Sequence, residues 1–303
     1  MCGIVGLHLR DPQLHPRLGE LLTGMLCEME DRGRDSAGVS VYGDPTWSPA
    51  GTVGVSLLEV DDDPTQVEAQ IAGVLGTAVE VRALDATYVV TAPVEVDALL
   101  VAARAAYPEA LVAGFGRDVT VLKGVGTPRD LADRWGLAQA QGWQGVGHTR
   151  MATESAVTPS GAHPYTVGPD QCMVHNGSFH NYASIRRDLM RAGLAFDSLN
   201  DTEVAARFVA EQLAAGQDVE GALNALIDSF DSFYTLLVSN SDSFAVVRDA
   251  IACKPAIIAE TDAWVAMASE YRALAHLPGV EHARLWEPEP EVVYHWTRAG
   301  VPA

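Results

Sequence analysis

The sequence predicts an α+β fold, and three observations carry that expectation. A short apolar strand opens the chain and is followed by a helix with one apolar stripe. Residues 44–116 alternate as β-α-β-β-α-β. Residues 181–229 read as successive helices and 233–297 as mostly short strands, so helices and strands come in runs. At 303 residues the chain allows one large domain or two small ones. No internal repeat or low-complexity linker divides it. A single domain over 1–303 is expected, with 44–116 inserted as a ferredoxin-like subdomain.

Each element has a local reason. Ile4-Val5-Gly6-Leu7 is an apolar run suited to a buried strand. Leu18, Leu21, Leu22, Met25, Leu26 and Met29 recur at helical spacing and predict an amphipathic helix over 14–30. The polar stretch Glu30 to Gly38 reads as a loop, and 39–42 as a strand. Within the insertion, strands are expected at 53–58, 78–84, 87–92 and 110–115, with helices at 64–76 and 94–106. Asp63-Pro64 is a helix start, an N-cap followed by proline at the first position. A strand over 118–123 should lie beside 39–42, as hairpin neighbours that carry the insertion at their tip. Thr127-Pro128 caps a short helix, and strands follow at 146–151 and 172–175. Helices at 181–191, 202–215 and 218–229 precede strands at 233–239, 244–249, 256–260, 263–268 and 291–297, with a helix at 269–276. A sheet with helices on one face leaves its other face or its edges free to pair, so the insertion is expected to dock a partner.

Composition narrows the function classes. The formal net charge is −20, from 40 acidic and 20 basic residues. Nucleic acid and anionic membrane surfaces need a basic footprint and are excluded as partners. No apolar run approaches the ~20 residues of a membrane span. The N-terminus lacks the basic and long apolar regions of a signal peptide. The four cysteines have neither zinc-ligand nor redox spacing, which predicts a reducing, cytoplasmic setting. Cys27, Cys172 and Cys253 are expected to be small packing residues.

Cys2 is different. Removal of Met1 leaves it with a thiol and a free α-amine, a nucleophile carrying its own base. An α-amine with a reference pKa of roughly 7.7–8.0 accepts a proton near neutral pH. Arg32, in a tight polar loop, is either a fixed cation or a solvated surface charge. Arg150 ends an otherwise apolar strand, where it suits bidentate capture of a carboxylate. Asn176-Gly177 is a turn signal that also supplies a side-chain and a backbone N–H for an oxyanion. Asp201, at a helix entry, is an ordinary first-turn acid or a partner for a substrate ammonium.

Taken in order, "MCGIVG", "DRGRDSAG", "GHTRMAT…AHPY", "HNGSFHNY" and "NDTE" resemble the glutaminase domain of class II glutamine amidotransferases, which are N-terminal-nucleophile (Ntn) hydrolases. The segment "RDAIACKPAIIA…AMASEYRAL" looks like a late motif of the same family. The resemblance covers 1–43 and about 118–275. It implies a four-layer αββα sandwich and hydrolysis of glutamine to glutamate and ammonia through a thioester. It also implies roles: Cys2 as nucleophile, Asn176 and Gly177 as oxyanion hole, Arg150 for the substrate carboxylate and Asp201 for its ammonium. Arg32 shapes the pocket around the N-terminus, and Thr153 is a further substrate contact.

Met151 and Glu154 stand where the sugar-phosphate relatives have tryptophan and histidine, which alters the pocket rim. No acceptor domain follows the resembling region. This implies a stand-alone subunit, similar to the small subunit of N-methylglutamate synthase and other glutamate-synthase-like systems. The resemblance implies that the chain itself needs no metal or cofactor, with FMN and iron–sulfur clusters expected in the partner chains of a hetero-oligomer. Two alternatives remain, an amidohydrolase of another γ-glutamyl amide and a non-catalytic glutamine-sensing subunit.

Overall fold

Side-chain alternation along Gly3–Leu9 decides the layering. Val5, Leu7 and Leu9 enter one apolar core, while Ile4 enters another on the opposite face. A computed structural model describes residues 1–151 and 157–298. Its elements run β1 (Gly3–Leu9), α1 (Leu18–Glu28), β2 (Ser36–Tyr42), β3 (Val53–Leu58), α2 (Pro64–Leu75), β4 (Glu80–Leu84), β5 (Thr87–Ala92), α3 (Val96–Ala106), β6 (Leu111–Gly116), β7 (Val119–Val125) and α4 (Pro128–Trp135). Then come β8 (Gln144–Arg150), β9 (Cys172–Phe179), α5 (Tyr182–Arg191), α6 (Asp201–Ala214), α7 (Val219–Ser229), β10 (Ser232–Ser239), β11 (Ser243–Arg248), β12 (Ile257–Glu260), β13 (Trp264–Ala268), β14 (Arg284–Trp286) and β15 (Tyr294–Thr297).

A seven-stranded sheet of order β14-β12-β13-β1-β8-β2-β7 faces a four-stranded sheet of order β15-β11-β10-β9. Ile4, Val146, Val174, Leu237, Phe244 and Met267 fill the space between them. The stripe of α1, with Leu131 and Trp135 of α4, covers the outside of the large sheet. Val204, Val209, Leu223 and Leu226 of α6 and α7 cover the outside of the small one. The result is the expected αββα order. Leu22 is fully buried in the α1 stripe, so truncating it to alanine removes about 2–5 kcal/mol of stability.

The insertion forms a third sheet, antiparallel throughout, of order β4-β5-β3-β6. Numbered within the segment this is 2-3-1-4, the split βαβ arrangement. Asp63 caps α2 and accepts from the backbone N–H groups of Thr65 and Gln66. As expected, β2 and β7 pair directly, from Ser36↔Val125 to Tyr42↔Val119.

The sheet face away from α2 and α3 is not free. It lies across β7, the edge strand of the large sheet. Ser56 Oγ accepts from the Val121 N–H at 3.2 Å, and Thr87 Oγ1 accepts from the Lys123 N–H at 3.2 Å. These hydroxyls satisfy backbone groups that an edge strand leaves open. Gly114 packs so tightly on Val121 that a Cβ there would sit 2.4 Å from its Cγ2. Only the outer strand β4, mostly exposed, keeps the open character expected of the unit.

Other expectations shift locally. Residues 12–17 form a 3₁₀ turn before α1, because Pro16 cannot continue an α-helical ladder. The helix expected at 269–276 shrinks to a 3₁₀ turn, Tyr271–Ala273. Strand β14 had no sequence expectation. Cys253 is exposed rather than packed, while Cys172 is buried. No helix of the described residues is long and apolar enough to cross a membrane.

Candidate active site

The end of β1 is held by backbone and side-chain contacts from three directions. Strand β1 pairs with β8 in the register Gly3↔Thr149, which points Cys2 toward Arg150. On the other side, Ser269 Oγ accepts from the Ile4 N–H at 2.9 Å, and the Ser269 N–H donates to the Ile4 carbonyl at 2.9 Å. Thr149 donates to the Met29 carbonyl at 3.1 Å and fixes the end of α1 against the same corner.

Cys2 itself is half-buried. Its carbonyl accepts from Arg32 Nε at 2.9 Å and from Asn176 Nδ2 at 3.0 Å. Arg32 is 8% exposed, so the solvated-charge reading of it is excluded. Its Nη1 donates to Glu270 Oε1 at 2.8 Å. The Met1 ammonium meets Met151 Sδ at 3.3 Å, and Cys2 Sγ lies 4.0 Å from the Met151 carbonyl. Met151 therefore sits at the rim of the N-terminal corner, 45% exposed.

Asn176 and Gly177 lie inside β9, which runs on to Phe179, so the turn reading of Asn-Gly fails. Gly177 has φ +149°, and a Cβ there would sit 2.0 Å from the Phe233 carbonyl. That combination requires glycine. Because β9 belongs to the small sheet and β1 to the large one, the Asn176–Cys2 bond joins the two sheets at this corner.

Arg150 and Asp201 share one cavity of about 810 Å³, lined also by Tyr165, Ser178, Phe179 and Asn200. Arg150 is buried, and Gly161 leaves its guanidinium room, since a Cβ there would lie 3.2 Å from Nη1. Asp201 opens α6, where a carboxylate is favoured by the helix dipole. Its Oδ2 accepts from the Phe179 N–H at 3.0 Å. Thr153 and Glu154 fall outside the described residues.

Behind this cavity three imidazoles are buried together. His148 Nε2 lies 3.1 Å from the His175 carbonyl, and the His148 and His163 rings stand 4.1 Å apart. His163 Nε2 and His175 Nδ1 each lie 3.0 Å from Thr202 Oγ1. Burial pushes His148 down to about 3 and His175 down to about 4, and it holds His163 well below the usual range, with neighbouring imidazoles adding to the effect on His148 and His163. All three are neutral near pH 7.

Two groups of residues were not singled out in the sequence. Ser269 and Glu270 stand in the late "ASE" words, and their partners are hundreds of positions away. The histidines and Thr202 stand inside the motif words themselves, but nothing local in sequence marks them as one cluster.

Known proteins resemble this chain over most of its length. Residues 131–289 match the family described as glutamine amidotransferase domain. The chain is 48% identical to the glutamine amidotransferase-like protein GlxB of Rhizobium meliloti, over 98% of each chain. The chain belongs to the glutamine amidotransferase family. It is also 32% identical to the glutamine–fructose-6-phosphate aminotransferase of Thermococcus kodakarensis, over 46% of this chain and 24% of that one. Two solved structures share the fold. One is the allosteric regulatory enzyme of purine biosynthesis, with a TM-score of 0.60 and 17% identity, over 95% of this chain and 45% of that one. The other is the glutamine phosphoribosylpyrophosphate amidotransferase of B. subtilis, with a TM-score of 0.59 and 16% identity, over 98% of this chain and 49% of that one. Family and αββα layering agree with the class II, Ntn-hydrolase resemblance carried by the motifs.

Proposed function

We propose that this amidotransferase hydrolyses L-glutamine to L-glutamate and ammonia through a thioester on Cys2, and hands the ammonia to a synthase partner. The observation that carries the reading is the convergence of Arg32 Nε and Asn176 Nδ2 on the Cys2 carbonyl, at the end of β1 paired with β8, whose Arg150 shares a cavity with Asp201. Glutamine offers a carboxylate, an ammonium and an amide. Arg150 matches the first, Asp201 the second, and Cys2 with Asn176 and Gly177 the third.

The steps balance with this chain's own groups. Loss of Met1 frees the Cys2 α-amine, which takes the thiol proton. The sulfur attacks the side-chain amide carbon, and the oxyanion accepts from Asn176 Nδ2–H and the Gly177 N–H. Collapse breaks the C–N bond, and the α-ammonium gives its proton to the leaving nitrogen. Water then cleaves the thioester, returning the thiol and releasing glutamate.

A separate acceptor chain, glutamate-synthase-like or N-methylglutamate-synthase-like, is supported by the pattern of similarity. The match spans 98% of the GlxB relative but only 24% of the fructose-6-phosphate aminotransferase. The test is glutamine hydrolysis by the chain with Met1 removed, alone and with co-purified native partners. Ammonia release that depends on Cys2 and rises with the partners is expected. Release from other γ-glutamyl amides but not from glutamine would overturn the reading.

A further inference from the structure

Thr202 Oγ1 is fully buried and has three neighbours, His163 Nε2 and His175 Nδ1 at 3.0 Å and Asp201 Oδ1 at 3.4 Å. A hydroxyl has one proton to give. Where it goes follows from counting N–H groups. His148 Nδ1, His163 Nδ1 and His175 Nε2 are buried and have no hydrogen-bond partner among the described residues. Each neutral imidazole carries one N–H. A buried N–H without a partner is rarer than an acceptor without one.

His148 faces a carbonyl through Nε2, so its proton sits on Nε2. If Thr202 donated to His175 Nδ1, the His175 proton would be stranded on Nε2. If it donated to His163 Nε2, the His163 proton would be stranded on Nδ1. One arrangement strands none: His163 and His175 both donate to Thr202, and Thr202 donates to Asp201. The three nitrogens left over are then all bare acceptors. A metal is not the organising group, because among the described residues no three His, Cys, Asp or Glu side chains are grouped to hold one.

We propose that Thr202 is a positioning residue that orients the Asp201 carboxylate toward the glutamine ammonium, held in place by donation from His163 and His175. With the Phe179 N–H on Oδ2 and the Thr202 hydroxyl on Oδ1, the carboxylate is gripped at both oxygens. The inference rests on the functional reading above and deepens it.

The test separates the ammonium end from the rest of the substrate. Glutaric acid monoamide is glutamine without its α-amino group. The full chain with Met1 removed is assayed on both compounds as wild type, Thr202→Val and Thr202→Ser. Thr202→Val should raise KM for glutamine about tenfold and lower kcat/KM for glutamine relative to the monoamide by the same factor. It should leave monoamide hydrolysis within twofold of wild type. Thr202→Ser, which keeps the hydroxyl, should restore the wild-type ratio. If Thr202→Val does not fold, Thr202→Ala is read by the same ratio. An equal loss on both compounds, or no change in the ratio, overturns the inference. Wild type that hydrolyses the monoamide but shows no preference for glutamine also overturns it while leaving the nucleophile intact. Wild type that hydrolyses neither compound overturns the functional reading beneath it and the inference together.

Discussion

Arg32 and Glu270 meet at 2.8 Å although 238 positions separate them, and through this contact Glu270 braces the guanidinium whose Nε holds the Cys2 carbonyl. Arg32 is 8% exposed while the Glu270 side chain is 35% exposed. The pair lies between the ~0–1 kcal/mol of an exposed ion pair and the ~3–5 kcal/mol lost when a buried one is broken. Glu270→Ala should therefore destabilise by roughly 1–3 kcal/mol and lower kcat by loosening the nucleophile. Asp188→Ala breaks an exposed pair with Arg191 and should change stability by less than about 0.5 kcal/mol. Urea unfolding of both variants is the check. Equal effects would mean that Glu270 braces nothing.

Cys2 and Asn176 should separate in kinetics. Cys2→Ala should remove hydrolysis while glutamine still binds, since the proposed substrate contacts Arg150 and Asp201 remain. Asn176→Ala should lower kcat by roughly 10²–10³, as for loss of one oxyanion donor. It also cuts the bond that joins the two sheets at Cys2, so a stability measurement must accompany the rates. An effect of Asn176→Ala on KM alone would remove it from the oxyanion hole. Intact mass should show loss of Met1 in active protein; full activity with Met1 retained would exclude the α-amine as base.

Arg150→Lys keeps the charge but loses the planar fork, so KM for glutamine should rise by at least tenfold with kcat much less affected. Asp201→Asn should act likewise, and the increase should vanish with glutaric acid monoamide. Steady-state kinetics on the two compounds decides. A fall in kcat with KM unchanged would place Asp201 in the chemical step.

Much of this architecture was legible because local signals and tertiary structure agree. The α1 stripe, the Asp63 and Thr127 caps and the insertion's strand order each follow from short windows. Cys2, Arg32 and Asn176 do converge on one corner, and Arg150 and Asp201 do share one cavity. What stayed hidden was what is not local. The partner of Arg32 is Glu270, from the far end of the chain. The underside of the insertion looked free because the hydroxyls of Ser56 and Thr87 reveal nothing in sequence about the strand edge they cover. The buried histidines look like ordinary polar residues in sequence until Thr202 is seen between His163 and His175, with His148 on the His175 carbonyl.

That cluster sets an acid limit on the fold. His148 is pushed down to about 3 and His175 to about 4, with His163 also lowered, all chiefly by burial. In the unfolded chain each has an ordinary value near 6.5. Between those values the unfolded state binds more protons than the folded one, so stability falls as pH falls. Stability is full above about 6.5 and is lost progressively toward 4. Each histidine contributes a slope of about 1.4 kcal/mol per pH unit, and three together about 4. The loss accumulates to about 6 kcal/mol at pH 5 and about 10 at pH 4, so a domain in the lower half of the ordinary ~5–15 kcal/mol range should unfold in or just above that interval. His8 is also lowered by burial and adds to the slope, so the cluster is read by difference. His163→Gln, which does not titrate, should reduce the slope of unfolding free energy against pH by about one proton between pH 6 and 5. Urea unfolding measured at half-unit intervals gives that slope directly. Equal slopes in the variant and the wild type, or flat stability from pH 7 to 5, would show that these imidazoles already carry protons in the folded enzyme, and the neutral network around Thr202 would fall with them.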